Sequence, residues 1–112
     1  MALAITITHY DTSNRSIYIF GTLAASGSYA TGGDTLDFTT VGAQVDASQP
    51  PVSFWAGGTT GDSYSWIVGS ALNNGKVKIS TTSATELAAG TYPARISGDT
   101  GIQFEATFRK LL

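Results

Sequence analysis

Apolar and polar side chains alternate along most of this chain, beginning near its first residue. Leu3, Ile5 and Ile7 are apolar, and the residues between them are small or polar. Strict alternation places successive side chains on opposite faces of a β-strand. The pattern therefore predicts a first strand, which ends at the polar turn formed by residues 11–14 (Asp-Thr-Ser-Asn).

A second strand is predicted over residues 15–24, and its centre is apolar on both faces. Such a strand is buried on both sides, or a partner covers its outer face. Two registers of the first hairpin fit the pattern. A four-residue loop sets Tyr18 and Phe20 beside the isoleucines of the first strand. A bulge sets Ile17 and Ile19 there instead.

The middle of the chain predicts two strands separated by a proline break. The first follows residues 32–34 (Gly-Gly-Asp) and carries Leu36 and Phe38 on one face. Consecutive prolines at 50 and 51 interrupt the pattern, because proline cannot donate a hydrogen bond to a sheet. Residues 52–56 then alternate, so that Phe54 faces the core and Trp55 faces outward.

A hairpin is predicted for residues 64–72 and 76–80, joined by a type I′ turn at Asn74-Gly75. This register pairs Leu72 with Val77. One face of the hairpin then carries the apolar side chains Tyr64, Trp66, Val68, Leu72, Val77 and Ile79.

The C-terminal third predicts one helical turn and a last hairpin. Residues 85–90 begin with threonine and end with glycine, which are typical helix-capping residues. The hairpin is predicted over residues 92–96 and 102–109, with Pro93 indicating a sheet edge and Arg95 able to reach Glu105. Four apolar residues of its second strand are expected to face the core: Ile102, Phe104, Ala106 and Phe108.

These elements predict an all-β fold, an antiparallel β-sandwich or jelly-roll-like barrel of about eight short strands. The length of 112 residues fits a single domain, 1–112, with residues 1–4 as a candidate N-terminal arm. The start of the chain lacks a basic leader, so we expect no secretory signal. No apolar run approaches the roughly 20 residues that cross a bilayer, so we expect no membrane partner.

Composition excludes several further function classes. Charged residues make up 12% of the chain and the net charge is −2, which cannot build the basic surface of a nucleic-acid binder. The absence of cysteine excludes disulfides and thiolate metal sites. We therefore expect no direct contact with nucleic acid, and a sparsely charged surface that can pack against neighbouring proteins.

Catalytic chemistry has few candidates in this sequence. His9 is the only histidine, and it alternates in phase with the first strand's apolar residues, so a partly buried position is predicted. Asp34 and Asp37 fall on opposite faces of a strand, which does not make a glycosidase pair. Asp62 and Asp99, like Asp34, each follow a glycine and are interpreted as turn residues. We predict no enzyme activity, no cofactor and no metal site.

The exposed aromatic residues are the strongest indication of function. Trp55 shares its face with Ser53 rather than with Phe54, and an outward-facing tryptophan is typical of an interface anchor or a sugar platform. A covering loop is the alternative explanation. The same two readings apply to Tyr18 and Phe20.

Several stretches together resemble small virion structural proteins of tailed bacteriophages, of the kind encoded near the major capsid protein. They are the Tyr-x-Thr-Gly-Gly-Asp-Thr-Leu-Asp-Phe stretch at 29–38, Asn-Gly-Lys-Val-Lys at 74–78, Glu-Leu-Ala-Ala-Gly-Thr-Tyr-Pro at 86–93 and the ending at 104–110. The resemblance covers most of the chain after Tyr29.

This resemblance implies a head decoration (cement) protein, assembled in the host cytoplasm and located on the surface of the virion head. Such a protein would bridge subunits of the major capsid protein, as a trimer, and its N-terminal segment could add to a capsid strand. The alternative is a carbohydrate-binding or receptor-binding β-sandwich module with Trp55 as the platform. The predicted interface residues are Met1, Ala2, Leu3, Ala4, Tyr18, Phe20 and Trp55.

Overall fold

The computed structural model describes residues 3–13, 15–39, 45 and 49–110. Within these ranges the chain forms nine strands and one short helix. They are β1 (Leu3–Thr12), β2 (Ser16–Ala25), β3 (Ser28–Tyr29), β4 (Asp34–Leu36), β5 (Ser53–Gly57), β6 (Ser63–Ile67), β7 (Gly75–Ser80), β8 (Gly90–Thr91), α1 (Ala94–Ser97) and β9 (Gln103–Arg109). None of the helical structure in these ranges is long and apolar enough to span a membrane.

Seven of the strands form one antiparallel sheet in the order β1-β2-β9-β5-β6-β7-β4, and β3 pairs with β8 in a second, small sheet. The large sheet is curled, so that its edge strands β1 and β4 approach each other. The all-β class predicted from the sequence is confirmed. The sheet keeps one face toward the core, and its other face is called the outer face below.

Strand β9 lies between β2 and β5 and supplies the centre of the core. The inward alternation predicted for it is confirmed, because Ile102, Phe104, Ala106 and Phe108 are all at most 2% exposed. Phe38 lies over this strand, with its ring centroid 5.1 Å from that of Phe108 and 6.1 Å from that of Phe104. Aromatic rings at these separations attract one another beyond the area they bury.

A β-bulge in β1 decides the register of the first hairpin. Pairing shifts between Ile7 and His9, so the side chains that follow change faces. Ile5 and Ile7 pair with Leu23 and Gly21, so neither predicted register is correct. Ile17 and Ile19 are nevertheless fully buried, and Tyr18 points outward. The prediction of a partly buried His9 is wrong, because the bulge moves this residue to the outer face, where its side chain is 57% exposed.

The hairpin of β6 and β7 has a different register from the predicted one. Trp66 pairs with Val77, so the connection is a longer loop and Gly75 already belongs to β7. The Asn74 side chain organises this loop, since its Oδ1 accepts the backbone N–H groups of Ser70 and Ala71. A side-chain bridge of this kind replaces the predicted type I′ turn.

Val68 and Leu72 were predicted on a strand of this hairpin, but both lie in the loop between β6 and β7. Val68 is 60% exposed in the loop, whereas Leu72 is buried, as predicted, but reaches the core from the loop. Its carbonyl oxygen accepts the backbone N–H of Phe38.

The C-terminal elements are also corrected. Residues 85–90 contain no helix, and the helical turn is α1, which begins after Pro93. Proline is favoured at a helix start, because its missing N–H has no partner there in any case. The predicted strand at 92–96 is therefore absent, and β9 pairs with β2 and β5 instead. Arg95 binds Asp62 at 3.0 Å rather than Glu105.

Candidate interaction surface

Four side chains on four neighbouring strands form a continuous row across the outer face. Strand register makes each of them a cross-strand neighbour of the next, in the order His9, Phe20, Glu105, Trp55. Side chains directly opposite each other on paired strands have Cβ atoms about 5 Å apart. These residues, called the aromatic row here, therefore act as one surface although they come from distant parts of the chain.

The six-membered ring of the Trp55 indole packs against Gly57, two residues further along the same strand. A Cβ atom placed on Gly57 would be 2.9 Å from Cζ2 and 3.1 Å from Cη2 of the indole. Only glycine leaves room for the ring in this position, because any side chain at 57 would push it away. The ring nevertheless remains 58% exposed, which confirms the outward orientation predicted for Trp55.

A groove of about 440 Å³ runs between Trp55 and Phe20. Its polar lining comes from Thr8, His9, Thr22 and Gln103, and Glu105 lies between the two rings. No lysine or arginine belongs to this lining. A groove with aromatic walls and a few polar groups has the composition of a small binding site.

The ionisable groups at the groove are the carboxylate of Glu105 and the pair formed by His9 and Asp11. His9 Nε2 lies 2.9 Å from Asp11 Oδ2, and both side chains are more than half exposed. The His9 ring also contacts Phe20, with 5.6 Å between ring centroids. Among the described residues, Glu105 takes part in no ion pair. The groove therefore presents a net acidic group beside exposed aromatic rings.

Tyr18 extends the exposed aromatic surface by one row. It lies two residues before Phe20 on β2, and both side chains are 39% exposed. Its cross-strand neighbours are Asp11 and Thr107. The structure thus brings together on one face all three aromatic residues that the sequence singled out: Tyr18, Phe20 and Trp55.

The predicted N-terminal interface residues have mixed positions. Leu3 is 1% exposed and pairs with Ala25, so its side chain belongs to the core rather than to a free arm. Ala4 is exposed within β1. Met1 and Ala2 lie outside the described residues. Leu3 and Ala4 both belong to β1, which is an edge strand of the large sheet.

The three turn aspartates are buried and hold loops in place. Asp99 accepts the backbone N–H groups of Thr59 and Gly101 at 2.9 and 2.8 Å. These hydrogen bonds lower the pKa of Asp99. The Arg95 guanidinium likewise lowers the pKa of Asp62, and hydrogen bonding to Asp62 raises the pKa of Arg95. Their interpretation as structural turn residues therefore fits the structure.

A network of tyrosines and carboxylates fixes the small sheet and its neighbourhood. Tyr29 donates its hydroxyl to Glu86 at 2.8 Å, and Tyr92 donates to Asp34. Burial raises the pKa of Tyr29 to about 12, while the Gly32 N–H and the Tyr29 hydroxyl lower the pKa of Glu86. Sequence pattern gave no sign of these contacts, since the partners are more than 50 residues apart.

Among the described residues, no three histidine or acidic side chains lie close enough together to hold a metal ion. Among the features of the described surface, the aromatic row is therefore the best candidate for a binding site.

No protein-family model, curated protein or solved structure matches this chain. Functional inference accordingly depends on the chain's own residues and their arrangement.

Proposed function

We propose that this chain is a decoration protein of a tailed-phage head and binds the major capsid protein through the outer face of β2, β9 and β5. The observation that carries the proposal is the exposure of three large aromatic side chains on that one face. Tyr18 and Phe20 are 39% exposed and Trp55 is 58% exposed. Several exposed large aromatic side chains on one face are typical of a site of interaction between proteins.

Aromatic side chains are effective anchors because they bury much area and have few rotatable bonds. Here they stand on paired strands, and the Trp55 ring packs against Gly57. The surface is therefore ordered before binding, and little conformational entropy is lost when a partner covers it. Adhesion to a rigid capsid lattice benefits from this property.

The charge of the chain supports the same function. A net charge of −2 and 12% charged residues leave few groups that must be desolvated on packing against other subunits. The phage-like stretches at 29–38 and 86–93 point to the same class of protein. We further propose a trimer on the head surface, with the edge strand β1 placed to receive a capsid strand.

Binding to heads tests the proposal. Expanded heads that lack the protein are prepared from the phage that encodes it, and binding is measured by cosedimentation. We expect Trp55→Ala to weaken binding about 30-fold, as for an interface hot spot. Val68→Ala serves as the control, since Val68 is equally exposed but lies in a loop. Unchanged binding by Trp55→Ala would exclude this face as the interface.

Carbohydrate binding is the second candidate function, because the exposed Trp55 indole and the amide of Gln103 line the same groove. A flat ring next to an amide can stack on a sugar ring and hydrogen-bond its hydroxyl groups. Glycan-array binding that Trp55→Ala abolishes, in a chain that ignores heads, would favour this function over decoration.

A further inference from the structure

We propose that the groove between Phe20 and Trp55 binds an arginine side chain of the partner protein. The proposal rests on the proposed adhesive function, and it names the chemical group that the outer face recognises. Three properties of the groove support an arginine: an unpaired carboxylate, a flat exposed indole and a set of hydrogen-bond acceptors.

The carboxylate of Glu105 is the first property. Its cross-strand neighbours on both sides are aromatic, Phe20 on β2 and Trp55 on β5. The nearest basic residue of the same strand face, Arg109, is four positions away, or about 13 Å along the strand. Within the described ranges no cation neutralises Glu105. When a partner covers this face, the carboxylate must receive a positive charge or be buried unpaired.

The flat indole selects the kind of cation. The Trp55 indole packs against Gly57 and is 58% exposed, which leaves aromatic surface on which a planar group can stack. A guanidinium is planar, stacks on aromatic faces and donates two parallel hydrogen bonds to one carboxylate. A lysine ammonium supplies the charge but neither the stacking plane nor the two-pronged donor.

The remaining polar lining matches the donors of a guanidinium. Arginine carries five N–H donors and no acceptor. Besides Glu105, the groove offers the amide oxygen of Gln103 and the hydroxyl oxygens of Thr8 and Thr22 as acceptors, while the Nε2 atom of the lining residue His9 is engaged by Asp11. A neutral sugar presents donors and acceptors in equal measure, so it would leave the ionised carboxylate without a matching charge.

A small-molecule titration tests the groove without any capsid. N-acetyl-arginine amide is added to the full chain, and the indole N–H signal of Trp55 is followed by NMR, with Trp66 as an internal reference. N-acetyl-citrulline amide, which has the same shape without the charge, and glucose are the comparison ligands. We expect a saturable shift with the arginine compound only. Equal binding of citrulline, preferential binding of glucose, or no saturable shift would each overturn the proposal.

Matched variants identify the carboxylate that binds. Glu105→Gln is expected to weaken the arginine compound about tenfold, the usual loss for a hydrogen bond to a charged group. Asp37→Asn removes the same charge at a position away from the groove and is expected to retain binding, because Asp37 does not line the groove and its carboxylate binds Thr39. Equal losses in the two variants would indicate a general field effect and contradict a specific site.

Binding to heads separates this inference from the proposed function. Loss of head binding in both Trp55→Ala and Glu105→Gln supports arginine recognition. Loss in Trp55→Ala with full binding in Glu105→Gln leaves the decoration function standing and refutes the arginine. If the chain binds the arginine compound through Glu105 but does not bind heads, arginine binding by the groove is supported and the capsid protein is excluded as the partner.

Discussion

The carboxylate of Glu86 accepts the backbone N–H of Gly32 at 2.6 Å, although 54 residues separate the two. The same carboxylate oxygen accepts the Tyr29 hydroxyl. One side chain thereby ties the segment after β7 to the turn before β4. Because both hydrogen bonds favour the ionised carboxylate, protonation of Glu86 in acid should weaken this contact.

We expect the folded state to lose stability in acid. Hydrogen bonds hold the pKa of Glu86 below its ordinary 4.5, and the pKa values of Asp62 and Asp99 below 3.8. A lowered folded-state pKa contributes stability that is complete above the unfolded value and is lost as pH falls through the folded value. Urea unfolding measured from pH 7 downward should show a falling midpoint that begins near pH 4.5. In Glu86→Gln the decline should be smaller, and an identical decline would show that this carboxylate contributes nothing.

Alkaline titration should reveal the buried tyrosines. Burial raises the pKa of Tyr29 and Tyr64 to about 12, and burial with the Asp34 contact raises that of Tyr92 further. A raised tyrosine pKa contributes stability that is complete below the unfolded value of 10.0 and is lost as pH rises through the folded value. Phenolate absorbance should therefore stay incomplete in the native protein at pH 11 and become complete in urea. Full ionisation of all five tyrosines in the folded chain would contradict this burial.

Replacing Phe38 by alanine should be among the most damaging core substitutions. The side chain is fully buried, and its ring packs against those of Phe54, Phe104 and Phe108. Emptying such a site costs about 3–5 kcal/mol of unfolding free energy. Urea unfolding measures the loss, with exposed Val68→Ala expected to change stability by about 0.5 kcal/mol or less.

The bulge in β1 makes Gly21 intolerant of a side chain. A Cβ atom on this residue would overlap the carbonyl oxygen of Thr6 on the paired strand. Because the obstacle is backbone, relief requires a shift of β1, and we expect Gly21→Ala to cost about 3 kcal/mol, at the upper end of overpacking costs. Thr22→Ala, one residue on and facing outward, should cost about 1 kcal/mol or less. Equal costs would argue against the observed register.

Gly57→Ala should change the orientation of the Trp55 ring while keeping the tryptophan itself. The new methyl group occupies the space of Cζ2 and Cη2, so the indole must tilt away from the sheet. The fold should keep its stability, since alanine is favoured over glycine in a strand by about 0.5–1 kcal/mol. Binding to heads, measured by cosedimentation, should fall about tenfold if an ordered ring is needed. Full binding by a correctly folded variant would mean that ring orientation is irrelevant.

Alternation was a reliable guide where one face of a strand packs on the core. It correctly placed Ile102 and the three inward residues of β9, and it turned Trp55 outward on β5, because a period of two leaves no choice once one face is apolar. It failed at His9, because a single extra residue at the bulge reverses every later assignment, and the alternation itself carries no mark of that insertion.

Turn chemistry was a weaker guide. Asn74-Gly75 has the residues of a type I′ turn, yet the Asn74 side chain binds the backbone of Ser70 and Ala71 and closes a wider loop. Both arrangements satisfy the hydrogen-bonding groups of asparagine, so local preference cannot choose between them.

Of the candidate site, only the exposed aromatic residues could be predicted from the sequence. Alternation with Phe104 and Ala106 turns Glu105 outward, but its place between Phe20 and Trp55 depends on strand order, which no local pattern reveals.

Strand β9 comes last of the nine strands described along the chain, yet it joins the β1-β2 pair to the strands from β5 to β4. Until it inserts, the growing chain consists of two partial sheets with open edges. Synthesis on the ribosome can therefore produce the first hairpin early, but the complete molecule must wait for residues 103–109 to emerge. Such a late, long-range closing step is slow, and it exposes unpaired strands to neighbouring nascent chains in the meantime.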